Sequence, residues 1–293
     1  MTGACAGPSP NTVWVARRYS GQRWQSRASA LTAARDVAFG IKHLNNPRTV
    51  AVPRSERTLY AGVMSDKSFL FVLPTPALPV RGSSSLYPVR RIYCVGRNYA
   101  EHAKEMGHDP TREAPFFFQK APDSLVQDGG VFPYPAGSSD VHHELELVVA
   151  LKSGGVDIPV DRALDRVFGY AVGLDMTRRD LQGAAKKAGR PWEVGKAFDH
   201  AAPCSALVPV AAIGHPAKGA IRLSVNDAVR QQGDLSEMIW SVPEIIAHLS
   251  RLFDLKQGDL IFTGTPAGVG PISKCDRLHG TIEGVGELRV TVG

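Results

Sequence analysis

Short strands outnumber helices in this chain of 293 residues, and the two kinds of element do not alternate. That order limits the fold more than any other feature, because a doubly wound parallel sheet needs a helix between successive strands. Residues 91–95, 145–151, 169–175, 260–263 and 287–292 read as strands, the second of them rich in Leu and Val. Residues 221–225 and 228–231 flank Asn226-Asp227 and read as a hairpin. Helices are fewer. Asn98, with Glu101 three residues on, reads as the N-cap of a helix over 99–106, which Gly107 ends. A second helix spans 179–188, before Gly189 and Pro191. Pro243 opens a third over 244–253, with Ile245, Ile246, His248, Leu249 and Leu252 as its apolar face. The pattern predicts a β-rich α+β fold.

Charge and composition exclude several kinds of function. The formal net charge of +6 is concentrated at the start: residues 1–63 hold nine Lys/Arg and two acids, which leaves 25 bases and 26 acids in residues 64–293. A body with a net charge of −1 offers no polyanion-binding surface, so nucleic acid is not an expected partner. The longest apolar run, residues 69–73, is far short of the roughly 18 residues a membrane helix needs. Cys5, Cys94, Cys204 and Cys275 are widely spaced, which argues against a disulfide framework or structural zinc and fits a reducing, cytoplasmic setting. Three domains of composition follow. Residues 1–63 lack periodicity and read first as translated sequence upstream of a start at Met64, with an Arg/Ser-rich organellar transit peptide or a disordered basic arm as alternatives. Residues 64–88 form a leader, in which Pro, Gly and Ser between 74 and 88 mark a connector rather than a packed element. From residue 89 onward the strand and helix signals sharpen, and residues 89–293 read as the folded domain.

The first place to look for chemistry is His142-His143-Glu144-Leu145-Glu146-Leu147. Side chains two apart on a strand share a face, so Glu144 and Glu146 project together and repel unless a cation neutralises them. Oxygen ligands of this kind select a hard divalent ion. The alternative is a strand with a solvent face lined by acids. Asp175, at the end of an apolar run, would complete a three-carboxylate site or simply form a turn. His142 has the parity of Glu144, which leaves a two-carboxylate plus histidine iron site as a rival. His102 and Glu105 lie three apart on one helical face, as a carboxylate-oriented base or an ordinary surface pair. Lys120 and Lys196 suit an anionic substrate or the surface, and Arg179 and Gln182 share a face able to hold a carboxylate. The loop from Thr263 through Thr265 to Pro271 is glycine-rich but has neither a P-loop ending nor a dinucleotide pattern.

Four motifs, in order, resemble the fumarylacetoacetate hydrolase family and its short-chain acylpyruvate and fumarylpyruvate hydrolase branch. They are Gly96-Arg97-Asn98-Tyr99-Ala100-Glu101-His102; His142-His143-Glu144-Leu145-Glu146-Leu147; Leu174-Asp175-Met176-Thr177 with Arg179-Asp180-Leu181-Gln182; and Thr263-Gly264-Thr265-Pro266. The resemblance implies a mixed β-sandwich roll with peripheral helices, usually a homodimer. By it, Glu144, Glu146 and Asp175 are ligands for Mg²⁺ or Mn²⁺, and His102 with Glu105 is a general-base pair on a lid helix. Lys196 would stabilise an oxyanion, while Lys120, Arg179, Gln182 and Thr265 would line the substrate site or support the metal. The implied reaction is hydrolysis of the C–C bond of a 2,4-diketo acid, such as 3-fumarylpyruvate to fumarate and pyruvate in gentisate-type aromatic degradation. Decarboxylases and isomerases of the same family are rivals, and a metal-binding scaffold without turnover is a further one. Residues 64–90 resemble the leader of bacterial fumarylpyruvate hydrolases, whereas residues 1–63 match nothing in the family.

Overall fold

In the strand Leu145–Leu151 all seven residues are buried, so both of its faces are covered. The period of two sorts them. Leu145, Leu147, Val149 and Leu151 belong to one apolar cluster, while Val148 and Ala150 belong to a second on the opposite side of the sheet. The computed structural model describes residues 70–101 and 113–293. The strand lies in a mixed eight-stranded sheet. In order across it run Phe116–Lys120, Arg91–Gly96, Asp259–Phe262, Leu145–Leu151, Val167–Leu174, Ala202–Cys204 and Leu125–Gln127, with Val208–Pro209 also paired to Val167–Leu174. The pairs Asp259–Phe262 with Arg91–Gly96, and Ala202–Cys204 with Leu125–Gln127, are parallel; the rest are antiparallel.

A five-stranded sheet packs on one face of the larger one. It runs Ala228–Asp234, Ala220–Val225, Arg277–Ile282, Gly286–Val292 and Val131–Phe132. Ile221, Leu223, Leu278 and Val290 enter the same cluster as Leu145 and Leu147. The sheets approach closely at Gly280, where an added Cβ would sit 2.4 Å from a Leu145 methyl. The hairpin between Ala220–Val225 and Ala228–Asp234 turns at Asn226 (φ 50°) and Asp227 (φ 68°), both left-handed as a type I′ turn requires. This is the expected β-rich α+β sandwich-like roll, with helices at its periphery. The longest described helix, Val242–Leu252, is capped by the Glu244 carboxylate, which accepts from Ser241 N at 3.0 Å and Ser241 Oγ at 2.7 Å. Among the described residues, no helix is long and apolar enough to cross a membrane.

Three local expectations change. The 74–88 stretch is packed: Ala77–Pro79 pairs with Leu86–Pro88, Leu78 is fully buried, and Tyr87 Oη donates to Leu151 O at 2.7 Å. Its prolines fit because a two-stranded ribbon tolerates residues without an N–H at its edges. The helix expected over 99–106 is described only to residue 101, and Asn98 before it has a further role. Its Nδ2 donates to Trp240 O at 2.9 Å and Thr263 O at 2.8 Å, and its Oδ1 accepts from Trp240 N at 2.7 Å, so it joins three chain segments. Leu252, placed on the apolar face of its helix by period alone, is 64% exposed, and it is Phe253, one residue on, that packs against the core and meets the Tyr93 ring at 5.1 Å.

Candidate metal centre

Glu144 occupies the one-residue break between the strands Val141–His143 and Leu145–Leu151. Glu146 follows two residues on, with the same parity, on the face that also carries Val148 and Ala150. Leu145 pairs with Leu174, so the next residue, Asp175, lies beside Glu144, and Asp175 N donates to Glu144 O at 2.8 Å. The register therefore brings the three carboxylates together. Each offers an oxygen within 4.8 Å of the others, and they are only 5%, 2% and 1% exposed. The acids do not line a solvent face, because the strand that carries them is covered on both sides. His142 does not join them. Its Nε2 lies 2.8 Å from Asp140 Oδ1, which removes the two-carboxylate plus histidine arrangement.

Buried carboxylates need counter-charge. Lys196 Nζ lies 2.7 Å from each of Glu144 Oε2, Asp175 Oδ2 and Thr177 Oγ1. Burial disfavours its charged form, but Asp175 and Glu144 outweigh that and hold the ammonium above the ordinary lysine value. Arg179 pairs with Glu144 and donates from Nη1 to Gln182 Oε1 at 2.7 Å. Lys120 Nζ lies 2.8 Å from Asp175 Oδ1, and its hydrogen bonds go to Met176 O and Lys196 O. Lys120 and Lys196 are thus buried, not surface, cations.

Glu146 is treated differently. Its Oε2 accepts from Gly264 N at 2.8 Å, and among the described residues it has no ion pair. Burial first, then Asp175 and Glu144 beside it, push its carboxyl well above the usual range. Asp175 Oδ1, though 2.8 Å from Lys120 Nζ, is buried and makes no aligned hydrogen bond among the described residues. A set of three hard oxygen donors, with one carboxyl that has no ion pair among the described residues, suits a divalent Mg²⁺ or Mn²⁺ ion.

The loop after Asp259–Phe262 braces this set. Gly264 has φ +97°, which turns its amide to Glu146, and a Cβ there would lie 2.6 Å from the Asn98 Cβ. Thr265 Oγ1 donates to Leu145 O at 2.8 Å and accepts from Gln231 Nε2 at 2.8 Å. Fully buried Gln231 accepts Leu145 N at 3.0 Å and lies 3.1 Å from His143 Nδ1, whose ring burial lowers to a pKa of about 4.

The carboxylates open onto a cleft shared with Arg179, Gln182, Lys196 and Thr265, four of the five residues expected to serve substrate. Lys120 is buried and does not line this cleft. His102 and Glu105 fall in residues 102–112, outside the described residues. Thr177, Gln231, Arg97, Lys186 and an aromatic wall of Phe116, Phe118 and Trp192 were not anticipated as site residues. Thr177 and Arg97 stand inside the quoted motifs, whereas Gln231 comes from the other sheet and carries no local signal.

Residues 91–293 match the fumarylacetoacetate hydrolase C-terminal family. The chain is 44% identical over 185 residues to fumarylpyruvate hydrolase of Ralstonia sp, covering 63% of this chain and 96% of that protein. It is likewise 44% identical over 203 residues to the mitochondrial oxaloacetate tautomerase of Mus musculus, covering 69% of this chain and 91% of that protein. A crystal structure of fumarylpyruvate hydrolase from Pseudomonas aeruginosa, in complex with Mn²⁺ and pyruvate, shares 51% identity at a TM-score of 0.75, over 77% of this chain and 99% of that one. The match runs through every strand that positions the three carboxylates, and the chain belongs to the fumarylacetoacetate hydrolase family.

Proposed function

We propose that this family enzyme is a divalent-metal-dependent hydrolase of 2,4-diketo acids, with 3-fumarylpyruvate as substrate and fumarate and pyruvate as products. The observation that carries the reading is the buried triad Glu144, Glu146 and Asp175, in which Glu146 has no counter-ion among the described residues although cations crowd its neighbours. The relatives support the choice of substrate, since one is named a fumarylpyruvate hydrolase and another was solved with Mn²⁺ and pyruvate.

In this reading Glu144, Glu146 and Asp175 hold Mg²⁺ or Mn²⁺. When bound, the ion supplies Lewis acidity toward the oxygens of the 2-keto acid end. Arg179, held by Gln182, and Lys196 orient that carboxylate, and Lys196 donates to the oxyanion that develops at the attacked carbonyl. Lys120 acts from behind, keeping Asp175 and the Lys196 backbone in place. His102, oriented by Glu105, takes the proton from the attacking water. Addition of water to the distal carbonyl and cleavage of the adjacent C–C bond give the carboxylic acid, and the three-carbon fragment gains a proton to become pyruvate.

Equal identity to an oxaloacetate tautomerase favours a second reading, keto–enol interconversion at the same site. The two separate in one assay. Loss of the near-ultraviolet enol absorbance of 3-fumarylpyruvate is followed with Mg²⁺ and again with excess chelator, and products are quantified. Stoichiometric fumarate and pyruvate, abolished by chelator, support the hydrolase. Oxaloacetate interconversion without any cleavage product would replace it with the tautomerase. We also infer a cytoplasmic homodimer, which light scattering of the purified protein would test for assembly.

A further inference from the structure

Beyond the carboxylates, the cleft continues along an aromatic wall that ends in two cations. Phe116 and Trp192 meet edge to face with ring centroids 5.4 Å apart. The Arg97 guanidinium carbon lies 5.3 Å from the Phe116 centroid, and Lys186 Nζ lies 6.0 Å from the Trp192 centroid. All four side chains face the same cleft as Glu146 and Asp175. Cation, ring, ring and cation therefore form one continuous surface.

Two further observations mark it as a built feature. Arg97 is held at φ +58°, a left-handed conformation uncommon for a residue with a Cβ and concentrated at functional sites. Among the described residues it makes no ion pair, unlike Arg179, which Glu144 and Gln182 engage. Burial, with Arg97 and Arg179 close by, also pushes the Lys186 ammonium below its ordinary value, as expected where positive groups converge.

We propose that Arg97 and Lys186 form a second anion subsite at the far end of the cleft, which takes the distal carboxylate of a flat, unsaturated acyl group lying along Phe116 and Trp192. The proposal rests on the diketo-acid reading above and names its preferred substrates: dicarboxylic rather than monocarboxylic acylpyruvates. The keto-acid end goes to Arg179 and Lys196, beside the triad that would hold the ion. A planar conjugated chain lies against the face of one ring and the edge of the other. The guanidinium fork and the ammonium then receive the far carboxylate.

The test compares 3-fumarylpyruvate with acetylpyruvate in Arg97→Asn, Lys186→Gln and the double variant. Asparagine tolerates the left-handed backbone at position 97, and Lys186 is exposed on its helix, so its variant does not depend on the first one folding. The ratio of kcat/KM for fumarylpyruvate to that for acetylpyruvate should fall about 10- to 100-fold in the double variant, mainly through KM. A ratio within twofold of the parent would overturn the subsite. Isothermal titration of the Mn²⁺-loaded protein with crotonate, which keeps the distal carboxylate, and with crotonamide, which lacks its charge, separates this from failure of the hydrolase reading. If the parent cleaves neither substrate, that reading fails, while preferential binding of crotonate, lost in Lys186→Gln, still supports the subsite. Equal binding of crotonate and crotonamide by the parent would refute it.

Discussion

Replacing Glu146 by glutamine should make the metal-free protein more stable and the metal-treated protein less responsive. Glutamine keeps the size of the side chain and an oxygen able to accept from Gly264 N, now 2.8 Å from Glu146 Oε2. It removes the one carboxyl of the triad that has no ion pair among the described residues, and with it the cost of ionising that group. Two unit charges within 4.8 Å repel by about 3.5 kcal/mol at an effective dielectric of about 20. Lys196, Arg179 and Lys120 offset much of this at Glu144 and Asp175, leaving relief on the order of 1–3 kcal/mol. For a domain of this size that raises the melting temperature of the metal-free protein by about 2–10 °C.

The metal response should move the other way. At 100 times its dissociation constant, an ion stabilises the parent by about 2.7 kcal/mol. Losing one of three anionic ligands weakens binding by roughly 10²- to 10³-fold, so the same concentration gives Glu146→Gln less than about 0.5 kcal/mol. Differential scanning fluorimetry of chelator-stripped protein, with and without Mn²⁺, reads both quantities. A variant that melts below the parent without metal would show that Glu146 is stabilised by partners other than the ion. An undiminished Mn²⁺ shift would remove it from the ligand set.

Four further outcomes follow from the same geometry. His102→Ala should lose at least 10²-fold in hydrolysis while its Mn²⁺-induced melting shift stays intact, because a base is removed and no ligand; normal turnover would end its assignment. Gly264→Ala forces a left-handed φ on a residue with a Cβ 2.6 Å from Asn98, so it should cost about 1–3 kcal/mol and weaken the metal response, read by the same thermal melts; an unchanged melt would show that the loop relaxes freely. His215, whose Nδ1 lies 2.7 Å from Tyr170 Oη, has its pKa lowered from 6.5 by burial. Its contribution is therefore present above that value and lost as the pH falls through it, and His215→Gln should show a shallower drop in melting temperature between about pH 7 and pH 5. Deleting residues 1–63 should leave kcat/KM unchanged, since the carboxylates and their counter-ions all come from residues 120–196; a truncated protein that fails to turn over would give the segment a part in the site.

What could be read along the chain was whatever one strand or one helix carries by itself. The parity of Glu144 and Glu146, the shared face of Arg179 and Gln182, and the Asn226-Asp227 hairpin are local, because periods of 2 and 3.6 and the demands of a tight turn act over a few residues. The same local logic could not say whether the two glutamates face water or each other. An alternation of acids and leucines looks identical on a half-exposed strand and on one covered on both sides, and only the five-stranded sheet on one face and the Leu78, Tyr87 and Val148 cluster on the other decided it. Period also failed at Leu252, where Phe253 one residue on takes the core contact, and cap chemistry did not reveal that the Asn98 amide serves Trp240 and Thr263, more than 140 residues away. Sequence by itself determined which residue types were available and which shared a face. Tertiary structure alone decided which charges would be compensated: Lys196 sits between Glu144 and Asp175 while Glu146 receives only an amide. The physical reason is that a charge's cost depends on burial and on distances in space, which are set by strand register and sheet packing rather than by spacing along the chain.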